Sequence, residues 1–222
     1  MAQQPDRPLV DVPESWPVLQ HTVLAHGKVS DFIEDVIQNT TGGTMARQWT
    51  SHTGSVAIIA LDEADRVAVV HQYRHPASLR MLEPPAGLLD IAKEDALSGA
   101  VRELAEEARL EADNWRILAD ELTSPGGSQE HLRVFLATGL HPASRPEGFV
   151  ATDEEADMGL HWVGFDELLA GVLAGTMQSP TLVVGILALA YARATNSLDR
   201  LRPADWPWPA RELKLQRDRA RD

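Results

Sequence analysis

One short stretch constrains this chain more than any other: Pro84-Pro85-Ala86-Gly87, then Glu94, then Arg102-Glu103-Leu104-Ala105-Glu106-Glu107 and Leu110. Read as a helix from about Asp95 to Ala108, it puts Leu97, Ala100, Val101, Leu104 and Ala108 on one apolar stripe, the spacing of a helix that faces a core. Glu103 and Glu107 fall beside that stripe, and Glu106 lies on the same flank further toward solvent. Like charges at i, i+4 destabilise a helix by roughly 0.2–0.5 kcal/mol. A hard cation reverses that sign, because clustered carboxylate oxygens are what Mg²⁺, Mn²⁺ or Ca²⁺ require. The plain alternative is a solvated acidic helix face. Two features argue against it. The Pro-Pro-Ala-Gly turn can bring a backbone carbonyl near the carboxylates, and Arg102 can pair with Glu106 one turn on.

These residues resemble the Nudix box, G-x5-E-x7-R-E-U-x-E-E-x-G-U with U a bulky aliphatic residue, the signature of hydrolases acting on nucleoside diphosphates linked to another group. The match departs twice. Six residues rather than five separate Gly87 from Glu94, which places the extra residue in the loop. Arg109 stands where the box has Gly, a position that often takes left-handed geometry at a helix end. Either Arg109 adopts that geometry at a cost of roughly 1 kcal/mol, or the helix runs on through Glu111.

The resemblance extends to the ADP-ribose pyrophosphatases within that family. It rests on Gln72-Tyr73-Arg74, on Leu82-Glu83-Pro84-Pro85-Ala86-Gly87-Leu88-Leu89-Asp90, on Pro125 past the box, on Gln129 to Ala137, and on the acidic run Glu154-Glu155-Ala156-Asp157-Met158. It implies an α+β fold, a Nudix-type α/β/α sandwich with a mixed sheet and a small N-terminal β unit. It also implies Mg²⁺ or Mn²⁺ as cofactor, with Glu103, Glu106, Glu107 and the Ala86 carbonyl as metal ligands. A nucleoside diphosphate substrate is expected, with ADP-ribose cleaved to AMP and ribose 5-phosphate, and a homodimer in which the N-terminal unit contributes to the partner's site. The subfamily carries its catalytic base in an acidic loop, which points to Glu155, with Glu154 in reserve.

Other assignments come from the residues themselves. Arg102 is expected to hold the carboxylates rather than touch substrate. Arg74 ends a strand before a turn and is a candidate for substrate phosphates or the terminal ribose; Arg47 is a second. Glu83 is a candidate acceptor for an adenine amino group or a ribose hydroxyl, and Trp49 for base stacking or an interface. The eight histidines form no zinc set, since His71 and His75 straddle a strand end.

Composition narrows the partners. A net charge of −13 disfavours nonspecific nucleic-acid or anionic-membrane binding. It also means that cations must be supplied locally for a phosphate substrate. The absence of cysteine excludes disulfides and thiolate metal sites, and a cytoplasmic location is expected. The apolar run Leu182–Ala192 is too short to span a bilayer and reads as a buried helix.

The chain divides into an arm and small strand unit over 1–50, a catalytic domain over 51–196 and a tail over 197–222. Strands are expected at Thr22–Ala25, Phe32–Ile37, Met45–Thr50, Ser55–Leu61, Arg66–His71, Trp115–Leu122, Leu132–Thr138 and Gly159–Val163. Helices are expected at Phe165–Ala174 and at Thr181–Ala194 behind Ser179-Pro180. The tail carries Trp206-Pro207-Trp208-Pro209 and is expected to pack on its own domain. The non-hydrolytic alternative, a ligand-sensing Nudix module, is disfavoured by the intact carboxylates and by the lack of a basic patch.

Overall fold

A computed structural model of the chain describes residues 9–144 and 159–219. Its larger part is built on one mixed sheet whose central strands are buried on both faces. β4 (Ser55–Leu61) is the clearest case: Val56, Ile58 and Ala60 face one core and Ala57 and Ile59 the other. β5 (Arg66–Arg74) and β9 (His131–Pro142) divide in the same way, with Ala68, Phe135 and Ala137 on the first face and Val67, Val69, Val134 and Leu136 on the second. Strands apolar on both faces must be covered on both sides, which is the physical content of a three-layer sandwich.

The remaining strands of this sheet are β6 (Leu79–Glu83), β7 (Ala86–Leu88), β8 (Leu110–Leu122), β10 (Gly159–Gly164) and the two-residue β11 (Arg202–Pro203). The order is β10-β5-β4-β9-β8-β11, with β6 added to β5 and β7 to β4. β4 and β9 run parallel, in register from Ser55 opposite Leu132 to Ala60 opposite Ala137. The second face is covered by α2 (Phe165–Leu173) and α3 (Pro180–Ala194), which bury Phe165, Leu168, Leu182, Ile186 and Leu189. The first is covered by α1 (Ala96–Glu103) and by the tail, whose α4 spans Pro209–Arg219. A separate three-stranded antiparallel sheet is formed by β1 (Val18–Ala25), β2 (Phe32–Gln38) and β3 (Thr44–Thr50).

All eight expected strands are present, most of them longer than the sequence suggested. Two were missed. β6 lacks clean alternation, and β7 falls on the residues read as a turn; Pro85 just before it already accepts a hydrogen bond from Ile58 N–H at 2.8 Å. The short edge strand β7 is what carries Ala86 and Gly87 to the site.

The helix expected over 95–108 is two pieces. Asp95 caps α1, its carboxylate accepting from the Leu97 and Ser98 N–H groups, both at 3.0 Å. After Glu103 the chain enters a π turn, Leu104–Ala108. That wider turn slows the rotation of side chains around the axis and carries Glu106 and Glu107 back toward the sheet. The apolar stripe is corrected accordingly. Ala100, Leu104 and Ala108 are buried, but Val101 is 40% exposed and Glu103 only 8%. The side of α1 that meets β7 is the Gly99–Glu103 side.

Arg109 resolves the two alternatives left by the sequence. It takes the left-handed conformation, φ 54° and ψ 43°, and its N–H closes the π turn onto Ala105 and Leu104. An L side chain is costly in that region. Replacing Arg109 by Gly should therefore raise stability by up to about 1 kcal/mol, read as a higher urea midpoint at unchanged slope. A lower midpoint would show that the Arg109 side chain repays the strain.

Candidate active site

The site forms where α1 is pressed against β7. Gly87 makes that contact possible, because a Cβ there would overlap the carboxyl group of Glu103. Arg102, one residue earlier, reaches back under the loop. Its Nε and Nη2 donate to the two oxygens of Glu94, both at 3.0 Å, while Nη1 donates to Glu103 at 2.6 Å and to Glu106 at 3.1 Å. Nη2 also meets the Leu88 carbonyl at 3.3 Å. Glu107 takes a different partner, accepting from the Ala86 N–H at 3.0 Å. The expected Arg102–Glu106 pair is thus present, inside a larger cluster that the i, i+4 rule alone did not reveal.

All of these groups except Glu94, which sits behind Arg102, lie on the wall of a cleft of about 800 Å³. Across it stand Arg74 and Glu83, side by side on β5 and β6. Arg74 donates to both oxygens of Glu83, at 3.1 and 2.6 Å, and Gln72 adds a third donor at 3.1 Å. One end of the cleft is lined by His52, Ser55, Thr123 and Glu130. The Glu130 carboxylate accepts from Ser55 at 2.8 Å and from Thr123 at 2.7 Å. The start of α3, with Ser179 and Thr181, and Lys28 from the turn after β1 complete the lining. Ser179 holds the N-cap position as expected, but its hydroxyl pairs with that of Thr181 at 2.9 Å instead of capping the helix.

The sequence-derived residues therefore divide into three groups. Ala86, Glu103, Glu106, Glu107, Arg102, Arg74 and Glu83 converge on one cleft. Arg47 does not: it lies on β3, and with Trp49 it lines a second cavity of about 950 Å³, between the N-terminal sheet and the Pro125–Gln129 loop. The cause is topological: β3 belongs to the separate N-terminal sheet, which is tied through Thr50 to Gly127 and Gln129, so its strand sets Arg47 beside that loop and not in the cleft. There Trp49 donates to Asp35 at 3.0 Å. Glu154 and Glu155 lie outside the described residues. The cluster at Glu130 was not foreseen; its signal was the Ser124-Pro125-Gly126-Gly127 turn, which returns the chain across the cleft just before β9.

The donor set is one of hard carboxylate and carbonyl oxygens, the chemistry of Mg²⁺ or Mn²⁺ sites. As they stand, no three acidic or histidine side chains among the described residues are gathered closely enough to hold an ion. Glu103 and Glu106 turn to Arg102, and Glu107 to an amide. The cluster carries the tension such an arrangement implies. Burial pushes the Glu103 carboxyl up to about 7 from its ordinary 4.5, and the Glu106 and Glu94 charges push the same way, against the pull of Arg102. Multiple carboxylates hold the Arg102 guanidinium above its usual range.

The Glu103 shift has a sign that can be tested. The folded chain binds this proton more tightly than the unfolded chain does. Its contribution to stability is complete below about pH 4.5 and is lost as pH rises through about 7. Metal-free protein should lose stability between pH 5 and 8, with Glu103 contributing on the order of 3 kcal/mol, and Glu103→Gln should flatten that slope. Denaturant midpoints across this range decide it; an unchanged slope in the variant would contradict the assignment.

Comparison with known proteins agrees with this geometry. A family model described as NUDIX domain matches residues 51–180. The chain is 39% identical to an ADP-ribose pyrophosphatase of Mycobacterium tuberculosis over 194 residues, 87% of this chain and 91% of that one. It is 30% identical over 168 residues to the methanol dehydrogenase activator of Bacillus methanolicus, covering 76% of this chain and 89% of that relative. Among solved structures, an ADP compounds hydrolase superposes with a TM-score of 0.65 at 15% identity, over 85% of this chain and all of that one, which speaks to fold alone.

Proposed function

The chain belongs to the NUDIX hydrolases, and from that premise we propose that it cleaves the pyrophosphate bond of ADP-ribose to give AMP and ribose 5-phosphate. The observation that carries this reading is the pairing, across one cleft, of the Glu103–Glu106–Glu107 carboxylates with Arg74 and Glu83. A volume of about 800 Å³ suits a nucleoside diphosphate sugar. The relative at 39% identity is named for the same substrate.

Glu103, Glu106, Glu107 and the Ala86 carbonyl would hold Mg²⁺ or Mn²⁺. Such ions, when bound, neutralise non-bridging phosphate oxygens and acidify water. The chain's own groups do the rest. Arg102 keeps the carboxylates gathered while Glu94 fixes Arg102 from behind. Arg74, with its fork set by Glu83, faces the substrate from the opposite wall as a phosphate or ribose contact. Glu155, with Glu154 as the reserve, takes the proton from the attacking water or orients it. Water oxygen joins one phosphorus, the bridging P–O bond breaks, and the second phosphate leaves with its ribose.

A homodimer belongs to the same proposal. The N-terminal sheet exposes Val18, Leu19, Leu24 and Phe32, apolar surface that a second copy would cover, and Arg47 and Trp49 of the same sheet are the candidates to serve the partner's cleft. The alternative substrates are other nucleoside diphosphate sugars or dinucleotides, such as GDP-mannose or NADH.

A panel of these compounds, with Mg²⁺ or Mn²⁺ and products identified, tests the reading. ADP-ribose should be the best substrate and yield AMP. Glu107→Gln should fold normally and lose on the order of 10²-fold or more in kcat. Glu155→Gln should lose at least about 10²-fold with metal affinity unchanged. Turnover near wild type in Glu107→Gln at saturating metal would overturn the site. Failure of both Glu155→Gln and Glu154→Gln to reduce kcat would remove the loop as source of the base.

A further inference from the structure

The Trp206-Pro207-Trp208-Pro209 segment plays no part in the cleft, yet it is built into the core. Trp208 is 6% exposed and packs in the cluster that also holds Leu89, Ala100 and Leu104 under the box helix. Arg133 of β9 lies over its ring at 4.6 Å, and the edge of His131 faces it at 6.4 Å. Arg133, itself buried and held by Asp120 at 2.7 and 3.0 Å, donates to the Trp206 carbonyl at 2.9 Å and the Pro207 carbonyl at 3.3 Å. The tail thus enters α4 from a fixed anchor.

From α4, Arg211 reaches inward. Its Nη1 donates to the Thr53 carbonyl at 3.1 Å. It passes over Gly54, whose φ of +93° favours glycine and whose added Cβ would stand 2.8 Å from that nitrogen. The Gly54 carbonyl in turn accepts the Leu89 N–H at 2.9 Å, where the loop to Glu94 begins. Leu89 fills the space above Gly99 of α1. Arg211 and Glu94 line the same crevice of about 700 Å³. Burial lowers the Arg211 guanidinium from its usual range, and the Glu94 charge opposes that.

We propose that Arg211 is a positioning residue for the active site: carried on the Trp208 anchor, it holds the Thr53–Gly54 turn and the loop from Leu89 to Glu94 so that Glu94 stays clamped on Arg102. Arg102 then holds the carboxylate directly from the cleft side, and Arg211 holds the turn that carries its loop from the tail side. The effect on chemistry runs through Glu94, not through contact with substrate. This rests on the hydrolase reading of the cleft.

A double-mutant cycle tests it with Arg211→Met, Glu94→Gln and the double variant, with ADP-ribose as substrate. Arg211→Met should lower kcat about tenfold, as expected for coupled neighbours, with KM changed less than about twofold. In the Glu94→Gln background the same substitution should cost less than about twofold. Arg211→Lys, which keeps the charge and a donor for Thr53, should restore kcat to within about threefold of wild type. Equal losses in both backgrounds, or lower thermal stability with kcat unchanged, would overturn the proposal. The urea midpoints of the four proteins without ligand give a reading independent of turnover. If the wild type leaves ADP-ribose intact, the substrate assignment falls. The positioning role then stands on non-additive midpoints and falls on additive ones.

Discussion

A single guanidinium gathers three acidic side chains at the wall of this site. Glu94, Glu103 and Glu106 come from a loop, the end of a helix and a π turn, and left alone they would repel one another. Arg102 meets all three and the Leu88 carbonyl as well. Its planar fork can satisfy several acceptors in fixed directions, which a lysine cannot. Glu94 and Glu103 are largely withdrawn from water, so removing Arg102 would strand buried charge, a loss of roughly 3–5 kcal/mol when one partner of a buried pair is deleted.

The fold serves that contact. A sheet buried on both faces gives a rigid floor, β7 carries Ala86 and Gly87 to its edge, and the missing side chain at Gly87 lets Glu103 come up against the strand. The π turn then spends one residue to bring Glu107 onto the Ala86 amide. Arg109 closes the turn in a conformation better suited to glycine, a local cost set against the packing of Leu104 and Ala108. The tail closes the other side: Trp208 completes the core beneath α1, so the C-terminal segment and the box helix share one hydrophobic cluster.

Much of this was legible in the sequence because it depends on local spacing. The buried strands announce themselves by β-branched runs such as Ser55–Leu61, and the carboxylates by their positions relative to Gly87 and Arg102. What was not legible depends on long-range geometry. Val101 reads as core by periodicity yet is exposed, because the π turn and Gly87 draw the Glu103 side of α1 inward. β7 is hidden in a proline-rich turn, and its strand character comes from pairing with β4. The carboxylate of Glu130 needed the return of β9 to the cleft, and Arg47 needed the knowledge that β3 belongs to a separate sheet. The fork between Arg74 and Glu83 joins two neighbouring strands, of which the second was not apparent.

Glu103 and Glu106, gathered by Arg102, and Glu107, held on the Ala86 amide, would together form the cation site of a pyrophosphate hydrolase. Anomalous diffraction from crystals soaked in Mn²⁺ tests it most directly. A peak is expected bonded to Glu103 and Glu107, with the Ala86 carbonyl in its coordination sphere and Arg102 still held by Glu94. A Mn²⁺ peak elsewhere on the chain with these carboxylates unmoved, or no peak at saturating Mn²⁺, would contradict it.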